Sequence, residues 1–281
     1  MTNVQFLWID NQNDFCDPAG ALFVPGAQFD AIKSARAVTW SIKAQVEDID
    51  LHCEHTATMD QHHPLHIAHA CMWRDKHGNN PKPFTEITVD DVDSGKWQAG
   101  YPSMQTKLAE YVHALKANQR YTLTIWPEHC IIGDWGAGLH PAFRHELRQF
   151  EYATGRPINY KIKGQNLFTE SYSAIRADVI DELDESTWMD RNLIERLGNA
   201  DRVIFGGQAL SHCVANTIED ALYELKRLYD VDFTQRCVLL RDTTSPVDVP
   251  IFHQMAEVFV KKMESEGMII ADVADLDDII F

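Results

Sequence analysis

Apolar and polar positions follow two rhythms along this chain. Val4-Gln-Phe-Leu-Trp-Ile9 is almost continuously apolar, the mark of a strand buried on both faces, and it stops at Asp10. Phe29, Ile32, Ala35, Ala37 and Ile42 then recur at helical spacing, which predicts a helix reaching about Glu47. Further strands are predicted over Ile49–Thr58, Tyr121–Ile125, Ile158–Ile162, Arg202–Phe205 and Arg236–Leu240, with one more near Met268–Ile270. Between them, helices are predicted from Pro141 to about Tyr152, through Val214, Ile218, Ala221, Leu222 and Leu225, and from Pro250 to Glu266. Strands alternating with helices predict an α/β chain: three α/β/α layers around a mostly parallel central sheet of about six strands. The rhythm weakens between Ala68 and Arg120, where only a short strand at Ile87–Val89 and an amphipathic helix at Met104–Lys116 stand out. We read approximately 68–120 as an insertion, a lid or an oligomer contact, within a single domain spanning 1–281.

Composition narrows the partners. A net charge of −17 argues against nucleic-acid backbones and anionic membranes. No apolar run approaches the roughly 20 residues that span a bilayer, and the first residues do not read as a signal peptide, so a cytoplasmic location is expected. The six cysteines show neither disulfide nor paired metal spacing, consistent with reduced thiols.

The chemistry gathers where strands are predicted to end: Asp10, Asp60, His129, Lys163 and Cys213. Open α/β sheets bind ligands at that rim. Cys213 follows a strand, a glycine turn and Ser211, an N-cap candidate, and opens a helix. A thiol there meets free backbone N–H groups and the positive helix end, which favour thiolate. The alternative is a small buried core residue. Asp60, His62 and His66 have the spacing D-x-H-x-x-x-H; in a turn entering a helix, the two histidines would share one face. Such a set suits zinc, iron or manganese, or else it is a solvated histidine cluster, with His63 and His69 as bystanders.

These residues together resemble the isochorismatase-like cysteine hydrolases, most closely the nicotinamidases. Asp10-Asn-Gln-Asn-Asp-Phe-Cys16, with Gly20-Ala-Leu and Val24-Pro-Gly-Ala27, is similar to that family's opening motif. Trp126-Pro-Glu-His129-Cys130, Lys163-Gly164 with Tyr172-Ser-Ala174, and Gly207-Gln-Ala-Leu-Ser-His-Cys213-Val resemble its later motifs. The resemblance implies a catalytic set of Asp10, Lys163 and Cys213, with Cys213 forming a thioester. It implies an oxyanion hole from the N–H groups of Ala209 and Cys213, with a cis peptide at Gln208–Ala209. It implies a divalent metal, zinc foremost with iron or manganese as alternatives, on Asp60, His62, His66 and His129.

Phe15, Trp126, Gln208 and Tyr172 are expected to border a small amide substrate, nicotinamide first. Another amide or carbamoyl compound, or a silent metal-binding relative, are the other readings. A homo-oligomer is expected by the same resemblance. Among the departures that bear on the pocket, Gln208 stands where the family has a small or aliphatic residue, Leu210, Ser211 and Asp134 differ from its usual residues, and the stretch between His66 and His129 is long.

Overall fold

The structure, a computed structural model, describes residues 2–281. Its centre is β1 (Thr2–Ile9), whose side chains alternate between two buried faces. Val4, Phe6 and Trp8 enter one core with Phe143, Leu147 and Phe150, while Leu7 and Ile9 enter another with Phe205, Ile218 and Leu225. That two-sided burial is why the run is apolar throughout.

Around β1 lie β2 (Leu51–Asp60), β3 (Asn159–Lys163), β4 (Arg202–Gly207), β5 (Cys237–Leu240) and β6 (Ile269–Ala271), in the order β6-β5-β4-β1-β2-β3. All pairs are parallel. The long helices are α1 (Ala27–Glu47), α2 (Gln105–Ala117), α3 (Pro141–Thr154), α4 (Arg191–Gly198), α5 (Ala215–Tyr229) and α6 (Pro250–Ser265). Helices α1 and α3 cover the face of Phe6 and Trp8; α2, α4, α5 and α6 cover the other. This is the three-layer α/β/α arrangement expected. From β1 the chain builds outward through β2 and β3, then returns to build the other way through β4, β5 and β6. The reversal between β1 and β4 leaves a crevice at their carboxyl ends, the place where such sheets bind ligands.

One expected strand lies elsewhere. Of Tyr121–Ile125 only Leu123–Thr124 is extended, and it pairs antiparallel with Glu86–Ile87 outside the central sheet. Arg120, bound through both oxygens of Asp220 on α5 at 2.9 and 2.8 Å, anchors its start, and Pro127 lacks the N–H that a longer ladder needs. The sixth place in the sheet goes to β6 at the opposite edge.

Segment 68–120 is no free flap. Met72, Trp73, Ile87, Val92, Leu108, Val112 and Leu115 are buried in the same core as Cys213. Val89, expected in a strand, instead begins the short helix Val89–Asp93, because Thr88 and Asp91 form a capping box there. Among the described residues no helix is long and apolar enough to cross a membrane.

Candidate active site

Sheet register builds the site. Asp60 and Lys163 are the last residues of β2 and β3 and are direct partners across the ladder. Asp10 follows β1 in a left-handed conformation (φ 46°), which turns its side chain back into the crevice. Thr58 of β2 fixes it: the hydroxyl donates to Asp10 Oδ1 at 2.5 Å and accepts from the Asp10 N–H at 3.1 Å. Gln12 brackets the backbone of Asp60, accepting from its N–H and donating to its carbonyl, both at 2.7 Å. Across the crevice, Gly207 (φ 112°) lies so close to the Ile9 backbone that a Cβ would collide with its carbonyl oxygen. The Gln208–Ala209 peptide that follows is cis.

Cys213 lies in a π-helical turn, Leu210–Val214, that leads into α5. Ser211 therefore does not cap the helix. Its Oγ accepts from the Val247 N–H at 3.2 Å and sits 2.8 Å from His212 Nδ1.

Lys163 joins these segments. Its Nζ lies 2.9 Å from Asp10 Oδ2, 3.3 Å from Asp60 Oδ1 and 3.7 Å from Cys213 Sγ, and donates to the Ser171 carbonyl at 2.8 Å. Burial disfavours its charge, but Asp10, Asp60 and Cys213 outweigh burial and hold the ammonium well above its ordinary value. For Asp10, burial dominates and raises the pKa against the pull of Lys163. Burial likewise pushes the Cys213 thiol well up; Lys163 opposes this, while Asp10, Asp60 and Glu170 add to it. Desolvation and the three nearby acids therefore act against the thiolate preference of a helix start, and Lys163 acts with it.

Beside this trio is a nest of imidazoles. The His62 N–H donates to the Cys130 carbonyl at 2.9 Å and the Ile132 N–H returns to the His62 carbonyl at 3.0 Å, which sets His129 next to His62. Asp60, His62 and His129 each present one ligand atom within 4.8 Å of the others. His62 Nδ1 lies 2.9 Å from the Gly164 carbonyl and His129 Nδ1 2.8 Å from the Pro127 carbonyl. Those bonds place the ring protons on Nδ1 and leave each Nε2 toward Asp60, the arrangement usual for metal-binding histidines.

Asp60 Oδ1 and His62 Nε2 are buried without a hydrogen-bond partner. Gly164 packs so tightly that a Cβ would collide with Asp60 Oδ1. Burial raises Asp60, but the charges of His62 and Lys163 hold it below the usual carboxylate range. Burial lowers His62, yet Asp60 lifts it to about 9, so a proton and a divalent ion compete for the same Nε2. One carboxylate and two imidazoles with a shared focus fit a divalent metal such as zinc.

His66 reaches this nest differently from expectation. Residues 61–69 form a loop, not a helix, yet the His62 and His66 rings lie 4.3 Å apart between centroids. His66 groups with His62 and Glu170, and its nitrogens lie 3.2 Å from the Thr169 carbonyl and 3.3 Å from the Ala68 N–H. His69, set aside from sequence, is in the nest too: its Nε2 is buried and unpartnered, and burial lowers its pKa to about 4. His63 is exposed.

Phe15, Leu22, Asp60, Trp126, His129, Glu170, Tyr172, Ala209, His212, Cys213 and Val247 enclose a cavity of about 20 Å³. Trp126 Nε1 donates to the Tyr172 hydroxyl at 2.9 Å, and Phe15 meets His129 edge-on at 5.4 Å. Gln208 is not in this wall; its side chain turns away to Asp30 of α1 at 2.9 Å. Leu22, Glu170, His212 and Val247 escaped sequence reasoning. Glu170 lies in irregular chain seven residues beyond Lys163, where no periodicity marks it. Asp14 also escaped: it accepts from the Cys130 N–H at 2.6 Å and the Ala21 N–H at 2.9 Å, tying the His129 loop to the Phe15–Leu22 loop. A larger cleft of about 280 Å³, beside Gln5, His52, Glu54 and Arg196 at the other end of the sheet, has no comparable convergence of buried groups.

The parallel six-stranded frame is the isochorismatase-like fold. Within that class the chain is similar to nicotinamidases. It is 26% identical over 218 residues to a nicotinamidase of Escherichia coli (strain K12), covering 77% of this chain and 75% of that one. It superposes on a nicotinamidase pyrazinamidase of Acinetobacter baumanii with a TM-score of 0.60 and 22% identity, covering 98% and 99% of the two chains. A pyrazinamidase of Pyrococcus horikoshii in complex with zinc superposes with a TM-score of 0.51 at 20% identity, over 96% and 98%. No protein-family model matches the chain.

Proposed function

We propose that this chain is a metal-dependent amidase that hydrolyses nicotinamide to nicotinate and ammonia. The observation that carries the reading is the placement of Lys163 Nζ within 3.7 Å of both Asp10 and Cys213, one residue away from the imidazole nest through Asp60. The sequence similarity to a nicotinamidase supports the choice of amide.

In this reading Asp10 accepts the Cys213 proton as the thiolate attacks the amide carbon; the S–C bond forms and the C=O π pair moves to oxygen. Lys163 keeps Asp10 ionised enough to serve as base and stabilises the sulfur charge as it develops. The N–H groups of Ala209 and Cys213 receive the oxyanion. Asp10 then returns the proton to nitrogen as the C–N bond breaks, and ammonia leaves a thioester. Water, deprotonated by Asp10, cleaves the thioester and restores the thiol.

Asp60, His62 and His129 would hold the metal, with His66, His69 and Glu170 around them. When bound, such an ion supplies Lewis acidity toward a ring nitrogen or water. Phe15, Trp126 and Tyr172 are the walls against which a flat aromatic ring packs. The whole chain acts as one hydrolase domain, with 68–120 supporting the site.

The test is ammonia release from nicotinamide by zinc-loaded protein, beside Cys213→Ala and a chelated sample. Turnover abolished in both controls is expected. Full activity in Cys213→Ala would remove the nucleophile assignment. No turnover of nicotinamide by the loaded wild type, with Cys213 still alkylated by iodoacetamide, would move the reading to another amide or carbamoyl substrate.

A further inference from the structure

We propose that Asp30 of α1 is a positioning residue that fixes the Ala209 N–H for the oxyanion by holding the Gln208 side chain immediately before it. The inference rests on the hydrolase reading above. On one side, the Gln208 side chain donates through Nε2 to Asp30 Oδ2 at 2.9 Å. On the other, the Ser245 carbonyl accepts the Leu210 N–H at 2.9 Å. Residue 208 is thus held by the Asp30 carboxylate and residue 210 by the Ser245 backbone, with Ala209 between them. The Gln208 N–H meanwhile donates to the Ile9 carbonyl at 2.7 Å, which ties the same segment to the strand end that carries Asp10.

Asp30 is itself well seated. It lies in the first turn of α1, where an acid is favoured by the helix dipole, and its N–H donates to the Gly26 carbonyl at 3.2 Å. A buried amide and a buried carboxylate each cost free energy unless bonded, and apolar side chains could fill this space without that cost. Gln208 is wholly buried, Asp30 is 8% exposed, and Gln208 stands where the resembling family has a small or aliphatic residue. The polar pair is therefore not what packing alone requires. What it adds is direction: the Gln208 side chain before Ala209 and the Leu210 N–H after it are both hydrogen-bonded, which restricts how the Ala209 N–H can swing. An oxyanion donor is effective at about 2.7–3.1 Å from the developing charge, and a displacement on the order of 1 Å costs about 10²-fold.

Three variants test this in the zinc-loaded full chain. Asp30→Leu removes the acceptor, Gln208→Met removes the donor while keeping length, and Asp30→Asn keeps shape and an acceptor. Each is assayed for nicotinamide turnover, for binding of pyridine-3-carbaldehyde and for iodoacetamide alkylation. The aldehyde adds the Cys213 sulfur to its carbon and moves its π pair to oxygen, so its affinity reports the oxyanion donors. Alkylation makes no oxyanion and reports the thiol alone.

Asp30→Leu is expected to lower kcat at least tenfold with KM within threefold, to weaken the aldehyde by a similar factor and to leave alkylation within twofold. Gln208→Met should follow the same pattern at least threefold, and Asp30→Asn should recover part of the loss. Alkylation falling in step with kcat, or kcat and aldehyde affinity both within twofold of wild type, overturns the proposal. If Asp30→Leu does not fold, Gln208→Met alone decides. A wild type that neither turns over nicotinamide nor binds the aldehyde fails the hydrolase reading instead, which is a separate result.

Discussion

Lys163→Met removes the single cation from between two buried carboxylates. The ammonium lies 2.9 Å from Asp10 and 3.3 Å from Asp60, and its side chain is 3% exposed. At an effective dielectric of about 20, a charge pair at that shorter distance favours ionised Asp10 by about 6 kcal/mol. Asp10 already sits above its ordinary value because it is buried, and losing Lys163 removes the main influence that lowers it, so it becomes a poorer acceptor for the thiol proton.

We expect kcat/KM at pH 7 to fall about 10²–10⁴-fold, the usual range for a lost general base. The acid limb of the pH–rate profile should move alkaline. Leaving a buried charge unpaired costs about 3–5 kcal/mol, or on the order of 10 °C in Tm for a chain of this size. The sign with pH follows from an acid whose folded pKa lies above its unfolded value: the stability deficit is largest where Asp10 must ionise and eases as pH falls and it protonates. The assays are ammonia release from pH 6 to 10 and calorimetry on the same samples. A variant within threefold of wild type at pH 7, with an unmoved acid limb, would refute the role given to Lys163.

Two further outcomes follow from the same geometry. Zinc should raise the wild-type Tm, by about 2.7 kcal/mol of stability at a hundredfold excess over Kd; Asp60→Asn should abolish both the shift and zinc retained after dialysis, and an equal shift in the variant would exclude Asp60 as a ligand. His55 is buried and neutral, accepting from Trp8 Nε1 at 3.0 Å with Ser41 Oγ at 2.9 Å from its other nitrogen, and burial lowers its pKa to about 3. Its contribution is complete above the unfolded value near 6.5 and is lost as pH falls toward 3, so His55→Gln should flatten the acid side of the stability curve by up to about 1.4 kcal/mol per pH unit. An unchanged slope in urea titrations from pH 4 to 6.5 would show that other groups set it.

The continuous apolar run Val4–Ile9 can only be a strand covered on both sides, and Asp10 at its end stands out because nothing apolar follows. The same logic located β4, α5 and the turn bearing Cys213 without any contact being known. Where local signals compete, sequence misplaces elements. Tyr121–Ile125 has strand composition, but the Arg120–Asp220 pair and Pro127 decide its partner, and neither is a property of the run itself. Val89 has strand composition too, and a capping box one residue earlier overrides it.

Residue identity and order thus determined the elements, the α/β layering and the chemical types at the strand ends, because periodicity and side-chain chemistry are local. Tertiary structure decided which of those residues meet. Ladder register brings Asp60 opposite Lys163, and a loop rather than a helix brings His66 and His69 to His62. It also bears on charge: a helix start favours a thiolate, but burial and three nearby acids raise the Cys213 pKa. Finally, it turned Gln208 away from the pocket to Asp30, 178 residues distant in sequence. Distances, registers and desolvation depend on the whole fold at once, and no local window of the chain contains them.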